Sequence, residues 1–146
     1  MAIRRATQEE ANHLIQLSGK VMKESSMGYA ENSVQNAYNL FMPVIQNGGY
    51  FLIDIEQGRL RGWILLVTNF NTVKGQVMGN LVSVFVFPKY RKSGIARKLA
   101  IAAINEFRAL GITTIQLNVF NGNPSRILCE NLGFEPVSTM MELNIP

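Results

Sequence analysis

The sequence predicts an α/β fold in which helices flank a mixed central sheet. Along the 146 residues, stretches with helical spacing of apolar residues alternate with stretches of strand character. Apolar residues make up 47% of the chain, which is enough to build a core. No linker, repeat or low-complexity segment divides it, so we expect a single domain over residues 1–146.

A short strand and two helices are expected in the first third of the chain. Residues 2–6 have strand character, and Thr7 with Glu10 matches a capping box at the start of the first helix. A second stretch of helical spacing contains Pro43, which should kink or break that helix. The pair Gly48-Gly49 should end it.

Three extended stretches follow in the middle of the chain. Residues 50–56 and 60–70 are separated by Gln57-Gly58, which predicts an antiparallel hairpin. Residues 76–87 form the third stretch. Its second half is almost wholly apolar, as expected of a central strand covered on both faces. Pro88 should end this strand.

The last third of the chain returns to alternating elements. Residues 93–110 have helical spacing, and residues 112–120 have strand character. Asn123 can cap a short helix that has Pro124 at its first position. Residues 134–143 are expected to form a closing strand.

Basic residues are concentrated in the centre of the sequence. The chain has 14 Lys and Arg against 10 Asp and Glu, a net charge of +4, and no acidic residue lies between Glu56 and Glu106. This distribution predicts a positive potential that attracts a polyanion, although an ordinary solvated basic face is the alternative. Five of the basic residues fall in one ten-residue window: Lys89, Arg91, Lys92, Arg97 and Lys98.

Several classes of site are disfavoured by composition. The single Cys129 and the single His13 supply neither a disulfide nor the four ligands of a structural zinc site. No clustered acidic pattern suggests a carboxylate metal site, so we expect no metal. The sequence lacks a long apolar run and a signal-peptide pattern, so we expect a cytoplasmic protein without a membrane partner.

A basic turn containing glycine, residues 91–96, opens the long predicted helix. The first amides of a helix lack intrahelical partners, which favours anion binding there. Gly94 would let the backbone approach phosphate oxygens, and Ala96 would keep the next turn narrow. The chain contains neither a P-loop nor a G-x-G-x-x-G fingerprint, so other nucleotide sites fit less well. A basic helix start without a ligand is the alternative.

The same residues resemble the signature of a known family. The stretch Val86–Leu99 is similar to the acetyl-CoA signature of the GCN5-related N-acetyltransferases, in which Arg91, Gly94 and Ala96 occupy the defining positions. The stretch Leu128–Phe134 resembles that family's second conserved region. The resemblance covers nearly the whole chain and implies the family's single-domain α/β fold.

The resemblance implies an acetyl-CoA-dependent N-acetyltransferase, in which an amine attacks the thioester directly in a ternary complex. Amides of the turn would hold the pyrophosphate of coenzyme A. The central strand would separate from its neighbour, so that its backbone pairs with pantetheine and polarises the acetyl carbonyl. The residues implied to bind the cofactor are Phe85, Val86, Arg91, Lys92, Ser93, Gly94, Ile95, Ala96, Arg97, Asn123 and Ser125.

Two departures from the family pattern concern the catalytic groups. Cys129 stands where the family usually has a Tyr acid. Its thiol could protonate the leaving thiolate, or it could be only a small buried hydrophobe. The central strand carries Ser83 but no carboxylate base. Glu24 and Glu31 flank the loop that would border the acceptor, and the general base stays unassigned.

The acceptor is left open between a small-molecule amine and a peptide amine. Two alternatives to catalysis remain: a coenzyme-A-binding module without activity, and a nucleic-acid-binding protein. The latter is disfavoured because the sequence has no RRM-like aromatic motif or helix-turn-helix pattern, so no nucleic-acid partner is expected. Family analogy suggests a homodimer. An apolar acceptor mouth or, alternatively, plain core packing is expected for Met22, Met27, Tyr38, Phe41 and Met42.

Overall fold

Five strands form one mixed sheet in the computed structural model, which describes residues 3–146. The spatial order of the strands is their chain order; the first four are antiparallel and the fifth is parallel to the fourth. The strands are β1 (Ile3–Arg5), β2 (Tyr50–Glu56), β3 (Arg59–Asn71), β4 (Gln76–Val86) and β5 (Ile115–Leu117). The helices are α1 (Gln8–Lys20), α2 (Met22–Ser25), α3 (Val34–Gln46), α4 (Ile95–Ala109) and α5 (Ser125–Asn131).

Both faces of the sheet are covered, because successive residues of the central strands point to opposite sides. On one face, Trp63 and Phe85 pack in a core that includes α1 and α3. On the other, Ile64 and Val86 join the buried side of α4. The α/β class, the mixed sheet and the flanking helices predicted from the sequence are therefore confirmed.

The beginning of α1 is fixed by its own sequence. The Thr7 hydroxyl accepts from the Glu10 amide at 3.1 Å, and the Glu10 carboxylate accepts from the Thr7 amide at 2.8 Å, completing the predicted capping box. Arg4 donates two further hydrogen bonds to this carboxylate, each at 2.8 Å. The hydrogen bond from Arg4, followed by that from Thr7, lowers the pKa of Glu10 to about 2.

Of the two outcomes expected at Pro43, a kink or a break of its helix, the break is wrong. The helix α3 continues past Pro43 to Gln46. Pro43 is exposed, while Val44 and Ile45, which follow it, pack against the core. Packing of the last turn therefore outweighs the one intrahelical hydrogen bond that proline cannot donate.

The end of the chain also differs from expectation. No closing strand forms over residues 134–143, and β5 covers only the centre of the expected strand 112–120. Residues 135–146 donate no backbone hydrogen bond to any residue of the described chain, so the strand-like sequence lacks a neighbour to pair with. The helix α5 begins at Ser125, one residue later than predicted. Asn123 nevertheless caps it by accepting from the Ser125 amide at 2.9 Å.

Candidate functional site

A gap opens between β4 and β5. The two strands pair over only three positions, Gly79–Leu81 against Ile115–Leu117. Beyond this point β4 continues to Val86, and its edge facing β5 has no partner strand within residues 3–146. The side chains of Phe85 and Val86 are buried, with 7% and 8% exposure, so a ligand in the gap would meet the backbone edge of β4 rather than these side chains.

The gap leads to the basic turn at the start of α4. A short 3-10 helix at Pro88–Tyr90 directs the chain away from the sheet, and Lys92 (φ 64°) and Gly94 (φ 82°) take left-handed conformations. Gly94 favours this geometry because it has no Cβ. The helix then begins at Ile95, with Gly94 in the capping position and no side-chain cap.

The turn presents a continuous row of free amides. The first intrahelical hydrogen bond of α4 runs from the Lys98 amide to the Gly94 carbonyl, at 3.0 Å. The six amides from Lys92 to Arg97 donate to no acceptor in the part of the chain that the structure describes. These unpaired donors lie at the positive end of a fifteen-residue helix, which is a favourable arrangement for an anion.

The surroundings of the turn suit a pyrophosphate. Lys92, Arg97 and Lys98 are exposed around it, and no acidic residue lies in the sequence between Glu56 and Glu106. A Cβ built on Gly94 would meet no atom within 4 Å, so the space in front of the turn is open. The row of free amides, the open space and the basic rim all fit the diphosphate of a coenzyme.

Arg91 is held against the end of β4. Its Nε donates to the Val86 carbonyl at 2.8 Å, and its guanidinium lies 5.2 Å from the centre of the Phe85 ring. Its Nη1 donates to Glu24 on α2 at 2.9 Å. The structure therefore brings Phe85, Val86 and Arg91 together. The contact with Glu24 was not predicted, because an exposed glutamate gives no signal of its partner in the sequence.

The residues expected at the thioester end lie on and before α5. The Asn123 amide oxygen is occupied by the Ser125 amide. Cys129 is partly buried, and its side chain forms no hydrogen bond within residues 3–146. Burial raises the pKa of the Cys129 thiol, so the group stays protonated at neutral pH. No hydrogen bond of the described chain joins Cys129 to the turn at α4.

A cleft with a volume of about 330 Å³ opens between the loop after α2 and the segment after β5. Its lining consists of Ser26, Met27, Gly28, Tyr29, Phe120 and Asn121. Among the residues proposed for an apolar acceptor mouth, only Met27 borders this cleft. Phe41 is a core residue, and the other three, Met22, Tyr38 and Met42, pack against that core.

Within residues 3–146, no group of three or more His, Cys, Asp and Glu side chains is arranged to hold a metal ion. Among the helices of the same residues, none is long and apolar enough to cross a membrane.

Comparison with known proteins identifies the family of the chain and solved structures that share its fold. The sequence profile of the acetyltransferase (GNAT) family matches residues 14–134. A putative acetyl transferase from Pyrococcus furiosus has a TM-score of 0.86 and 19% identity, and the similarity covers 98% of each chain. No curated protein matches the sequence.

Two other solved structures share the fold. A predicted acetyltransferase from Clostridium acetobutylicum, solved with acetyl-CoA, has a TM-score of 0.77 and 19% identity over 97% of this chain and 94% of its own. An aminoglycoside 6'-N-acetyltransferase from Acinetobacter haemolyticus has a TM-score of 0.70 and 17% identity, covering 100% of this chain and 99% of its own. At these identities the likeness concerns the fold.

Proposed function

Because the chain belongs to the acetyltransferase (GNAT) family, we propose that it transfers an acetyl group from acetyl-CoA to an amine. The observation that carries this proposal is the row of free amides from Lys92 to Arg97, which lies beside the gap between β4 and β5. Free donors, a basic rim and an adjacent unpaired strand edge match the diphosphate and the amide-bearing arm of one cofactor.

Each part of the cofactor has residues that would hold it. The amides of Arg91, Lys92, Ser93, Gly94, Ile95, Ala96 and Arg97 would surround the pyrophosphate, and all but that of Arg91 are free in the structure. The backbone of Phe85 and Val86 would pair with pantetheine. Asn123 and Ser125 would lie near the thioester end. The cofactor supplies an acetyl carbon activated by its thioester.

The proposed reaction is direct transfer in a ternary complex. The amine nitrogen forms a bond to the acetyl carbon, the carbon–sulfur bond breaks, and the thiolate leaves with the bonding electrons. The nitrogen releases a proton to solvent. Alignment of the two reactants and amides at the end of β4 would supply most of the acceleration.

Cys129 is the candidate acid for the leaving thiolate, because its raised pKa keeps the proton on the sulfur at neutral pH. If it acts so, Cys129→Ala should lower kcat by about 10² without changing acetyl-CoA binding. An unchanged kcat would assign the residue to packing alone.

We also propose that residues 1–146 act as one cytoplasmic domain and as a homodimer. The single free thiol fits a reducing compartment. The C-terminal segment supports a dimer, since its apolar side chains are more than 80% exposed and a second copy would cover them. These residues are Val137, Met140, Met141, Leu143 and Ile145. Light scattering on the full chain tests the dimer, and a monomer at micromolar concentration would contradict it.

The test of the main proposal combines binding with turnover. Titration calorimetry should give micromolar binding of acetyl-CoA, and Gly94→Trp should abolish it by filling the open space in front of the turn. Gly58→Trp is the matched control, because Gly58 has a similar positive φ (74°) and equally open surroundings but lies in the β2–β3 turn.

Thiol release in the presence of an amine panel then tests catalysis. Release of free coenzyme A that depends on the amine would support the acetyltransferase. Tight binding without release across the panel would favour a coenzyme-binding module without catalytic activity. If acetyl-CoA does not bind at millimolar concentration, the proposal fails altogether.

A further inference from the structure

Three exposed apolar side chains cluster in the cleft after α2. Met27, Tyr29 and Phe120 are 48%, 61% and 43% exposed, and they come from two segments far apart in the sequence. The rings of Tyr29 and Phe120 lie 5.3 Å apart at 33°, so they form a paired aromatic wall. Large apolar groups that gather at a concave surface mark a ligand site more often than scattered ones do.

A carboxylate lies at the edge of this wall. The Tyr29 hydroxyl donates to Oε1 of Glu142, which comes from the C-terminal segment. Two other carboxylates of this region are paired, Glu24 with Arg91 and Glu31 with Lys23. Glu142 forms no ion pair within residues 3–146. An acceptor ammonium would therefore find one uncompensated negative charge, next to two aromatic rings.

Each wall of the cleft is connected to an element of the proposed cofactor site. Phe120 follows β5, the strand that borders the gap, and lies three residues before Asn123, whose side chain accepts from the first amide of α5. The opposite wall follows α2, where Glu24 contacts Arg91 of the turn. A Cβ built on Gly122 would lie 3.6 Å from the Met27 side chain, so the two walls also meet each other.

We propose that this cleft binds the acceptor and that the acceptor is a primary amine carrying an aromatic ring, an aralkylamine. The ring would contact Tyr29 and Phe120, and the ammonium would bind Glu142. This inference rests on the proposed acetyltransferase function. A volume of about 330 Å³ fits a compound with one ring, since it is at the small end of ligand sites.

Polycations are disfavoured by charge. Several ammonium groups would need several free carboxylates, whereas within residues 3–146 the hydrogen bonds of the cleft lining reach one carboxylate, Glu142, which has no cationic partner there. The selectivity expected is therefore for one ammonium on an aromatic body.

Steady-state kinetics at saturating acetyl-CoA test the substrate class. The amines compared are 2-phenylethylamine, n-hexylamine of equal charge, and spermidine. We expect kcat/KM for 2-phenylethylamine to exceed that for hexylamine by about tenfold, because only the ring can pair with the aromatic wall. Spermidine should be poorer still. Equal or better turnover of spermidine would overturn the inference.

Two pairs of variants test the residues. Phe120→Ala should raise KM for 2-phenylethylamine about tenfold, while Phe70→Ala, a change at a 63% exposed ring on β3, should not. Glu142→Gln should raise this KM, most strongly at low salt, while Glu9→Gln should not. Aniline, which is neutral at pH 7, should be insensitive to Glu142→Gln. KM for acetyl-CoA should be unchanged in all four variants, and their melting curves report folding.

A binding measurement separates this inference from the proposed function. If no amine is turned over, 2-phenylethylamine is titrated into the protein saturated with coenzyme A and observed by NMR. Binding that Phe120→Ala weakens supports the cleft even without catalysis. Absence of binding overturns it. A third outcome is turnover of other amines at rates that neither Phe120→Ala nor Glu142→Gln changes. That result would support the acetyltransferase function and contradict only the aralkylamine assignment.

Discussion

The turn at residues 91–97 and the cleft beside Tyr29 differ in how they are built. The turn is made from consecutive residues, and the groups proposed to bind the cofactor there are backbone amides whose direction follows from two left-handed residues and a helix start. The cleft is lined by residues of two segments, and a third segment contacts its wall through Glu142. Its contact between Tyr29 and Glu142 spans 113 positions of the chain.

This difference in construction suits two roles: binding of a cofactor that many proteins share, and selection of an acceptor that differs between them. Backbone amides are present whatever the side chains are, so a turn of fixed conformation can bind the same cofactor in proteins of low identity. Side chains on loops can change without disturbing the sheet, so acceptor specificity can vary on one scaffold. Substitutions behind the turn should therefore lower the free energy of unfolding. Substitutions on its surface should change the affinity for acetyl-CoA, and by smaller amounts.

The largest effect is expected on stability, from the buried ion pair that lies behind the turn. Asp54 is fully buried and pairs with Arg61 at 2.6 Å, and the Arg61 carbonyl accepts from the Phe87 amide just before the turn. Arg61→Leu would leave the carboxylate uncompensated and lower the free energy of unfolding by about 3 kcal/mol. Urea denaturation measures this. Arg59→Leu, at an exposed position of the same strand, is the control, and an equal effect there would contradict the account.

A smaller loss is expected when basic side chains around the turn are removed. Arg97→Ala with Lys98→Ala should weaken acetyl-CoA binding about tenfold at low ionic strength and less at high salt, because the amides remain. The control is the double variant Arg59→Ala with Arg126→Ala, which also removes two positive charges but at positions outside the turn. Calorimetry at two salt concentrations measures the difference. Complete loss of binding would mean that side chains, rather than amides, dominate the turn.

A still smaller effect is expected where the two regions meet. Glu24 neutralises part of the charge of Arg91 through a half-exposed pair at 2.9 Å. Glu24→Gln should tighten acetyl-CoA binding about two- to threefold, because the potential at the turn becomes more positive. Glu31→Gln on the same segment is the control. Weaker binding would instead show that Glu24 holds Arg91 in the geometry that the cofactor needs.

The smallest effect is expected at the capping box, which is local in sequence like the turn. The pKa of Glu10 is about 2 in the folded chain, lower than in the unfolded chain, where it is near 4.5. Its contribution to stability is therefore complete above pH 4.5 and is lost as the pH falls toward 2.

Glu10→Gln should remove this part of the acid dependence. The melting temperature of the unchanged chain should fall toward that of the variant between pH 5 and pH 2. Glu9→Gln, on the neighbouring exposed residue, should keep the full dependence. If the melting temperatures of the unchanged chain and of Glu10→Gln differ by the same amount at every pH in this range, the charge of the carboxylate is not what stabilises the cap.

Features that depend on neighbouring residues were predictable from the sequence. The capping box of Thr7 and Glu10 and the hairpin at Gln57-Gly58 follow from local rules of backbone geometry. The helix does not break at Pro43, one of the two outcomes expected there, because the local cost of proline is outweighed by packing of the residues that follow it.

Features that depend on distant partners were not predictable. Residues 134–143 have the composition of a strand, but a strand forms only where another strand accepts its hydrogen bonds. The loop of the cleft was expected to border the acceptor, but its partners were missed for the same reason, since nothing near Tyr29 in the sequence indicates that it meets Phe120 and Glu142. The pairing of Glu24 with Arg91 belongs to this class too.

The central claim is that free backbone amides at the start of α4 bind the diphosphate of coenzyme A. Amide chemical shifts of the ¹⁵N-labelled chain, followed during titration with coenzyme A, test it directly. We predict that the amides of Ser93 to Arg97 move most, and that pantetheine, which lacks the diphosphate, leaves them in place. If these amides do not move at saturation while others do, the cofactor is bound elsewhere and the claim is contradicted.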